Sequence, residues 1–578
     1  MKKRFNIAVI LFLIALNNCT QVTNVSPVNE IKFDSKQVPY LETKGSAARL
    51  VVDGKPMLLL SGELHNSTAG GLKYMKPVWK RMAGKNLNSV IATVSWELIE
   101  PEEGKFDFTL VDSVIAGARD AKLKLVLIWF GSWKNGGSTY CPSWVKKDFE
   151  RYPRVKDEHG RTLEILSAFS NITAEKDAAA FSALMRHIRE TDGAFHTVVM
   201  MQVENEVGVL DNKGKLQTNF KGKLEGNARR DFSNPANVAY NGPVPAELIE
   251  YLITHKDNLF PELYSVWSEN GFRKSGTWEE IFGKSKFKPD PRDWKFYSYY
   301  TEELFMAWNY AKYIEKITAA GKQEYPLPMY VNGWLKQPWD SWPGIYPSGG
   351  PLPQVLDVWR AAAPSIDFIA PDIYIDEFDW VCEEFVRSGN PLFIPETRGG
   401  AIAAARAFYA FGEYSAGLFA PFGIDNIRYA ENDPLDECYE VLQKLAPLIL
   451  EYQGSGAMRG ILAEVRSPVK HFVLGEYDLE AKLDNSDNNT LAGGLIIQTG
   501  VDEFITAGQG FDLFFAPKSD SMRIALDTVD EGTFENGKWI PERRLNGDEI
   551  HASTYDNTGL RFPPGRVSIQ KITLYRYK

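Results

Sequence analysis

Cysteine is scarce in this chain, with Cys19, Cys141, Cys382 and Cys438 the four in 578 residues. Three scattered thiols beyond Cys19 form neither a disulfide framework nor a zinc-ligand spacing, and they allow at most one bridge. Histidine is also sparse, and His65, His187 and His196 are not spaced as metal ligands. There is no H-E-x-x-H pair, no phosphate loop and no dinucleotide fingerprint after a strand, so no metal and no cofactor are implied. Long basic runs are missing and the net charge is −10. That excludes a nucleic-acid partner or an anionic membrane surface, both of which need clustered Lys and Arg. The one strongly apolar segment near the start, Ile7 to Leu16, is too short to span a bilayer comfortably.

That segment follows Lys2, Lys3 and Arg4 and ends at Cys19, the layout of a secretory signal. A cysteine directly after the apolar stretch resembles a bacterial lipoprotein cleavage site, with Asn18 a departure from the small residue usual there. The expectation is an exported protein, periplasmic or outer-membrane-anchored, with membrane contact only through a lipid on Cys19. Residues 1–19 then form the signal peptide, and 20–45, polar and broken by prolines, form a tether.

From residue 46 a rhythm of apolar run, polar loop and helical stretch begins. The runs are 56–64, 87–96, 123–133, 196–206, 326–334, 366–375, 391–400 and 416–425, eight in all. Each is nearly continuous in apolar residues, as strands buried on both faces are. Strand and helix alternating eight times predict an α/β fold, a (β/α)8 TIM barrel over 46–450. Its long insertion at about 208–325 is expected as a lid-like segment near the mouth. Residues 451–578 show short β-type runs with Gly, Asp and Asn turns, predicting an all-β sandwich domain.

Barrel strands deliver their final residues into one cavity. Those residues are Glu63 and His65, Trp96, Trp133 with Asn135, Asn205 and Glu206, Trp334, Tyr374, Glu396 and Arg398. Glu206, in "MMQVENEVG", closes the fourth run and Glu396 the seventh. A lone glutamate at a strand end is more often a salt-bridge partner than a catalyst. Two on opposing strands, with an amide and aromatics around them, suit glycosidic cleavage: one protonates the departing oxygen and the other attacks the anomeric carbon. Glu204 is expected on the strand face of Glu206 but deeper, as a structural hydrogen-bonding group.

"MMQVENEVG" resembles the Q-x-E-N-E-x-G motif of glycoside hydrolase family 35, the β-galactosidases, within the retaining (β/α)8 clan. "LSGELHNS" is similar to the family's first-strand S-G-x-x-H motif, and "LNSVIATVSWELIEPEEGKFDF" to its second-strand block. The tail and "YPLPMYVNGWL" are similar to a bacterial branch with a C-terminal β domain. The resemblance implies Glu206 as acid/base, Glu396 as nucleophile, and exo-acting release of terminal β-linked galactose from oligo- or polysaccharides. Two departures touch the sugar site. "FGSWKNGG" replaces a third-strand stretch that contacts galactose, and Thr93 stands where a tyrosine is usual. Trp133, Lys134 and Asn135 are the candidates for a substitute contact. The same mechanism on a β-glucoside, β-fucoside or α-L-arabinopyranoside stays open, as does a non-catalytic glycan-binding lipoprotein.

Overall fold

The computed structural model describes residues 38–211, 229–284, 295, 301–338, 342–426, 433–519, 522–545, 547, 549–551 and 558–578. The expected signal segment, Cys19 and most of the tether lie outside the described residues.

The eight apolar runs each contain a strand: β1 (Leu59–Leu60), β2 (Ser89–Ser95), β3 (Lys124–Lys134), β4 (Val198–Asn205), β5 (Met329–Trp334), β6 (Phe368–Ile373), β7 (Phe393–Thr397) and β8 (Leu418–Pro421). Each is followed by a helix: α1 (Leu72–Ala83), α2 (Thr109–Asp120), α3 (Asn171–Asp192), α4 (Thr301–Glu324), α5 (Leu356–Ala362), α6 (Phe378–Val386), α7 (Ala401–Glu413) and α8 (Pro434–Tyr452). All strands run parallel in the order β1-β8-β7-β6-β5-β4-β3-β2. Main-chain bonds from Ile91 to Gly62 and from Leu64 to Ile91, 3.0 Å each, join β2 to the end of β1 and close the barrel. Capping is local and legible: Ser170 accepts from the Thr173 amide before α3, and Asp433 accepts from Leu435 with Pro434 opening α8.

The barrel interior is a small cluster that includes Leu59, Ile91, Val126, Ile128, Met200, Tyr330, Phe368, Phe393 and Leu418. Leu50 and Val52, from an antiparallel N-terminal sheet (Tyr40–Lys44, Ala47–Val52, Lys55–Met57), join this cluster and floor the barrel. His196, at the start of β4, meets Asp53 of that sheet at 2.6 Å, so it belongs to the floor and not the mouth. Within the insertion, Tyr240 and Trp278 pack edge-to-face on Phe305 of α4, and the Phe260 amide donates to Asp357 of α5 at 2.8 Å. The described part therefore flanks α4 and α5. Its residues 212–228, 285–294 and 296–300 lie outside the described residues. Cys141, Cys382 and Cys438 are buried free thiols.

After α8 the chain builds two antiparallel sheets, with β9 (Met458–Glu464), β10 (Val469–Leu474), β11 (Tyr477–Leu483) and β12 (Leu491–Gly500) opening them. One sheet has six strands, including β9 and β12, and the other five, including β10 and β11. Their facing residues, among them Ile461, Leu479, Ile496, Phe511, Phe515 and Leu560, form a separate core. The six-stranded sheet docks on α7, which is buried almost all round because it lies between barrel and sheet. Small residues permit the approach: a Cβ on Gly493 of β12 would stand 2.3 Å from the Ala405 Cα. From the same domain, Arg466 donates to the Asp376 carbonyl and Lys470 to Asp379 (3.2 Å), both in the segment after β6.

Overpacking at this junction is the direct test of it. Gly493→Val is expected to destabilise the protein by about 1–3 kcal/mol, lowering the urea midpoint and exposing the α7 contact to limited proteolysis. An unchanged midpoint would contradict the close docking.

Candidate active site

The acid strand β4 ends abnormally. Val198 to Val203 are fully buried and all Val or Met except Gln202, but Glu204 and Glu206 adopt left-handed backbone with φ of 63° and 45°. Each such non-glycine residue costs about 1–3 kcal/mol and persists only when its surroundings over-determine it. Here the turn after β3 does so. Asn135 (φ 52°) donates to the Asn205 carbonyl at 3.1 Å, and Gly136 (φ 67°) donates to the Glu206 carbonyl at 3.0 Å. From β5, Asn332 Oδ1 accepts the Glu206 amide at 3.0 Å.

The left-handed residues also redirect side chains, which corrects the expectation that Glu204 shares a face with Glu206. Glu204 turns toward the helix layer, accepting the Ser132 and Trp133 amides at 2.9 and 2.8 Å. It lies against Asp177 of α3, whose carboxyl accepts the Trp129 indole at 2.8 Å and the Ser132 hydroxyl at 2.6 Å. Burial pushes both carboxyls above their usual range, and the neighbouring Asp177 raises Glu204 further. Its work is structural.

Glu206 faces the other way. One oxygen each of Glu206, Asp372 and Glu396 lies within 4.8 Å of the other two. Asp372 and Glu396 are register partners on β6 and β7. The Tyr374 hydroxyl donates to Glu396 Oε1, and the Asn332 amide donates to Asp372 Oδ2 at 2.7 Å. Glu63, bridged to Ile91 and Phe422 at the end of β1, is a fourth buried acid beside them. Lys134, closing β3, opposes Glu63, Glu206 and Glu396 with its positive charge.

Four carboxyls this crowded cannot all ionise. Burial and the Glu396 charge push Glu206 up to about 8, with Lys134 pulling the other way. Burial and Glu396 hold Asp372 and Glu63 well above the carboxylate range. Glu396 is also raised by burial, and the Tyr374 donor and Lys134 offset that. Three oxygens at this spacing could also ligate a divalent cation, which would compete with protons for carboxyls that burial has raised above their usual range.

The other sequence-selected residues divide. Asn205 is buried at the mouth, and its side-chain oxygen meets no donor among the described residues; the same holds for Asn135. Trp334 closes β5 opposite Asp372 and is partly exposed. His65 stands at the rim, half-exposed, with Nδ1 2.9 Å from Asp425. Two expectations are corrected. Trp96 is wholly buried with its indole N–H on Glu100 at 2.7 Å, and Trp133 is buried against Tyr310 and Tyr313 with its N–H on the Leu166 carbonyl at 3.0 Å. Both belong to the core outside the barrel, not to a sugar platform. Arg398, which the sequence placed among the strand-end residues, pairs with Asp376 at 2.8 Å. Sequence reasoning missed Asp372 and Asn332; their signal was a lone polar residue inside the apolar runs "FIAPDIYI" and "MYVNGW".

A family model described as β-galactosidase, of glycoside hydrolase family 42, matches residues 73–231, and a domain of unknown function matches 435–554. The first match includes the Glu206 strand and ends before those of Asp372 and Glu396. A β-galactosidase from Xanthomonas manihotis is 30% identical over 179 residues, 29% of this chain and 27% of that protein. The chain thus spans about a quarter of that relative's length. Among solved structures, a β-galactosidase from Bacillus circulans sp. alkalophilus aligns at 14% identity and TM-score 0.42, covering 68% of this chain and 57% of its own. The catalytic domain of β-amylase from Paenibacillus polymyxa aligns at 13% and 0.44, covering 66% and 97%. Likenesses this loose leave the fold resting on the strand order itself.

Removing the outward acid should loosen the end of β4. Glu204→Ala strands two buried amides and Asp177, and is expected to cost about 2–4 kcal/mol, seen as a lower denaturant midpoint. A midpoint equal to the native one would remove Glu204 from this role.

Proposed function

We propose that this protein is a retaining, exo-acting glycoside hydrolase that releases terminal β-linked galactose from oligo- or polysaccharides. The observation that carries the proposal is that one oxygen of Glu206 lies within 4.8 Å of one oxygen of Glu396 at the barrel mouth. Retaining enzymes hold their two carboxyls about 5–5.5 Å apart, whereas inverting enzymes need about 6.5–9.5 Å to admit a water. The shorter spacing favours a covalent glycosyl-enzyme.

In this reading Glu396 attacks the anomeric carbon while the Tyr374 hydroxyl orients its oxygen. Glu206, still protonated near neutral pH, gives its proton to the departing oxygen. It then takes a proton from the water that displaces Glu396. Asn205 and Glu63 supply hydrogen-bonding groups for sugar hydroxyls. The match of residues 73–231 to the β-galactosidase family model supports a glycosidase. Galactose itself, and placement in family 35 within the clan, rest on the sequence blocks. Thr93 lies at the end of β2 with its hydroxyl on the Asn66 carbonyl at 2.8 Å, so the usual tyrosine contact has no counterpart there. Export as a lipoprotein through Cys19 belongs to the same proposal.

Glu396→Ala should reduce turnover of an aryl β-galactoside on the order of 10⁴-fold or more; unchanged turnover would remove the nucleophile from this position. Glu206→Gln should slow poorly activated leaving groups by about 10²–10⁴ and activated aryl groups far less, and equal losses on both would refute the acid role. Because Glu206 works protonated, kcat/KM should hold below pH 8 and fall as pH rises through about 8. Digesting galactosylated plant oligosaccharides and identifying the freed monosaccharide separates galactose from the other sugars.

A further inference from the structure

Asp372 has no role in the mechanism above, yet one of its oxygens lies within 4.8 Å of both Glu206 and Glu396. Its carboxyl is 3% exposed. One oxygen, Oδ2, accepts the Asn332 amide at 2.7 Å, and that amide's oxygen holds the Glu206 N–H at 3.0 Å. The other, Oδ1, meets no donor among the described residues. What surrounds this carboxyl is acidic: Glu206 and Glu396 within 4.8 Å, with Glu63 beyond them.

A buried carboxylate with one unsatisfied oxygen, facing other carboxylates, is among the costliest groups a protein can hold. The arrangement becomes economical if Asp372 is neutral, because an acid O–H on that oxygen would donate to a neighbouring carboxylate. Glu396 already has the Tyr374 hydroxyl. Glu206 has no side-chain donor but Asp372 within this group, and burial together with its acidic neighbours favours the protonated form of Asp372.

Resting on the reading of Glu206 as acid/base, we infer that Asp372 is its positioning residue, a neutral carboxylic acid that donates a hydrogen bond to the Glu206 carboxylate formed in the first half-reaction. The proton balance is simple. Glu206 passes its proton to the glycosidic oxygen as that bond breaks and the Glu396–carbon bond forms. Asp372 keeps its own proton and steadies the new anion. In the second half, water gives one proton to Glu206 and its oxygen to the anomeric carbon, which releases Glu396. Asn332 links the two halves of this device, fixing the Asp372 oxygen and the Glu206 backbone with one side chain.

The charged and titratable groups facing the pair are Glu63 from the end of β1, Lys134 from β3, Tyr330 from β5, Tyr374 after β6 and Glu396 from β7. All are retained in the variants that test the inference. Asp372→Asn keeps an oxygen for Asn332 and offers Glu206 a permanent N–H donor. Its kcat/KM should stay within about threefold of wild type, with the alkaline limb unmoved. Asp372→Ala removes the donor. The alkaline limb should move to higher pH, and turnover of an activated aryl glycoside, limited by the second half-reaction, should fall about tenfold or more.

A downward shift of the limb by a unit in Asp372→Asn would mean that Asp372 carried negative charge, and would overturn the inference. So would an Asp372→Ala enzyme with the wild-type profile. Infrared spectroscopy gives a readout that needs no turnover: at neutral pH, Asp372→Asn should lose one carboxylic C=O band present in the wild type, and an unchanged spectrum would contradict a neutral Asp372. Glu206→Gln distinguishes the levels. If it splits good from poor leaving groups while Asp372→Ala behaves as native, only the positioning role fails; if it shows no split, the acid/base reading and the inference resting on it fail together.

Discussion

The mouth of this barrel is governed by one electrostatic constraint: the buried acids Glu63, Glu206 and Asp372 stand together with the partly buried Glu396, opposed by the Lys134 ammonium. Every ionised carboxylate there raises the cost of the next. Protonation therefore has to be distributed unevenly, and local donors decide how. Tyr374 favours charge on Glu396, while Glu206 and Asp372 are left to hold protons. In the proposed mechanism that division supplies the nucleophile and the acid, with both roles drawn from the same side-chain chemistry.

The scaffold sustains this concentration of acid at Glu206 by anchoring its backbone. Asn135, Gly136 and Asn332 grip the main chain at Asn205 and Glu206 from the strands on either side. Glu204, two residues earlier, is diverted outward to Asp177. Glu204 and Glu206 thus serve opposite directions on either side of Asn205. Left-handed backbone at both is what separates the directions.

The β domain takes part in this anchoring. It covers α7, the helix that follows the Glu396 strand, through glycine and alanine contacts. Arg466 and Lys470 reach the segment after Tyr374, where Arg398 also pairs with Asp376. The elements that carry Glu396 and its hydroxyl donor are held from behind by a domain that contributes no side chain to the described carboxylate cluster.

Much was decided by sequence alone. Eight apolar runs with helices between them specify a closed parallel barrel, since buried parallel strands and right-handed crossovers leave few other arrangements. Strand ends then marked Glu206 and Glu396, because a barrel delivers them to one place. Which way each residue faces was not determined there. On strands apolar on both faces, the alternation that would separate inside from outside is missing, so Trp96 and Trp133 read as sugar contacts although they pack outward. At Glu204 the alternation is broken by a backbone turn that no residue type announces. Asp372 and Asn332 sit inside apolar runs, where a polar residue looks like an exception. Only the tertiary structure, by bringing neighbouring strands into register, reveals that such exceptions meet.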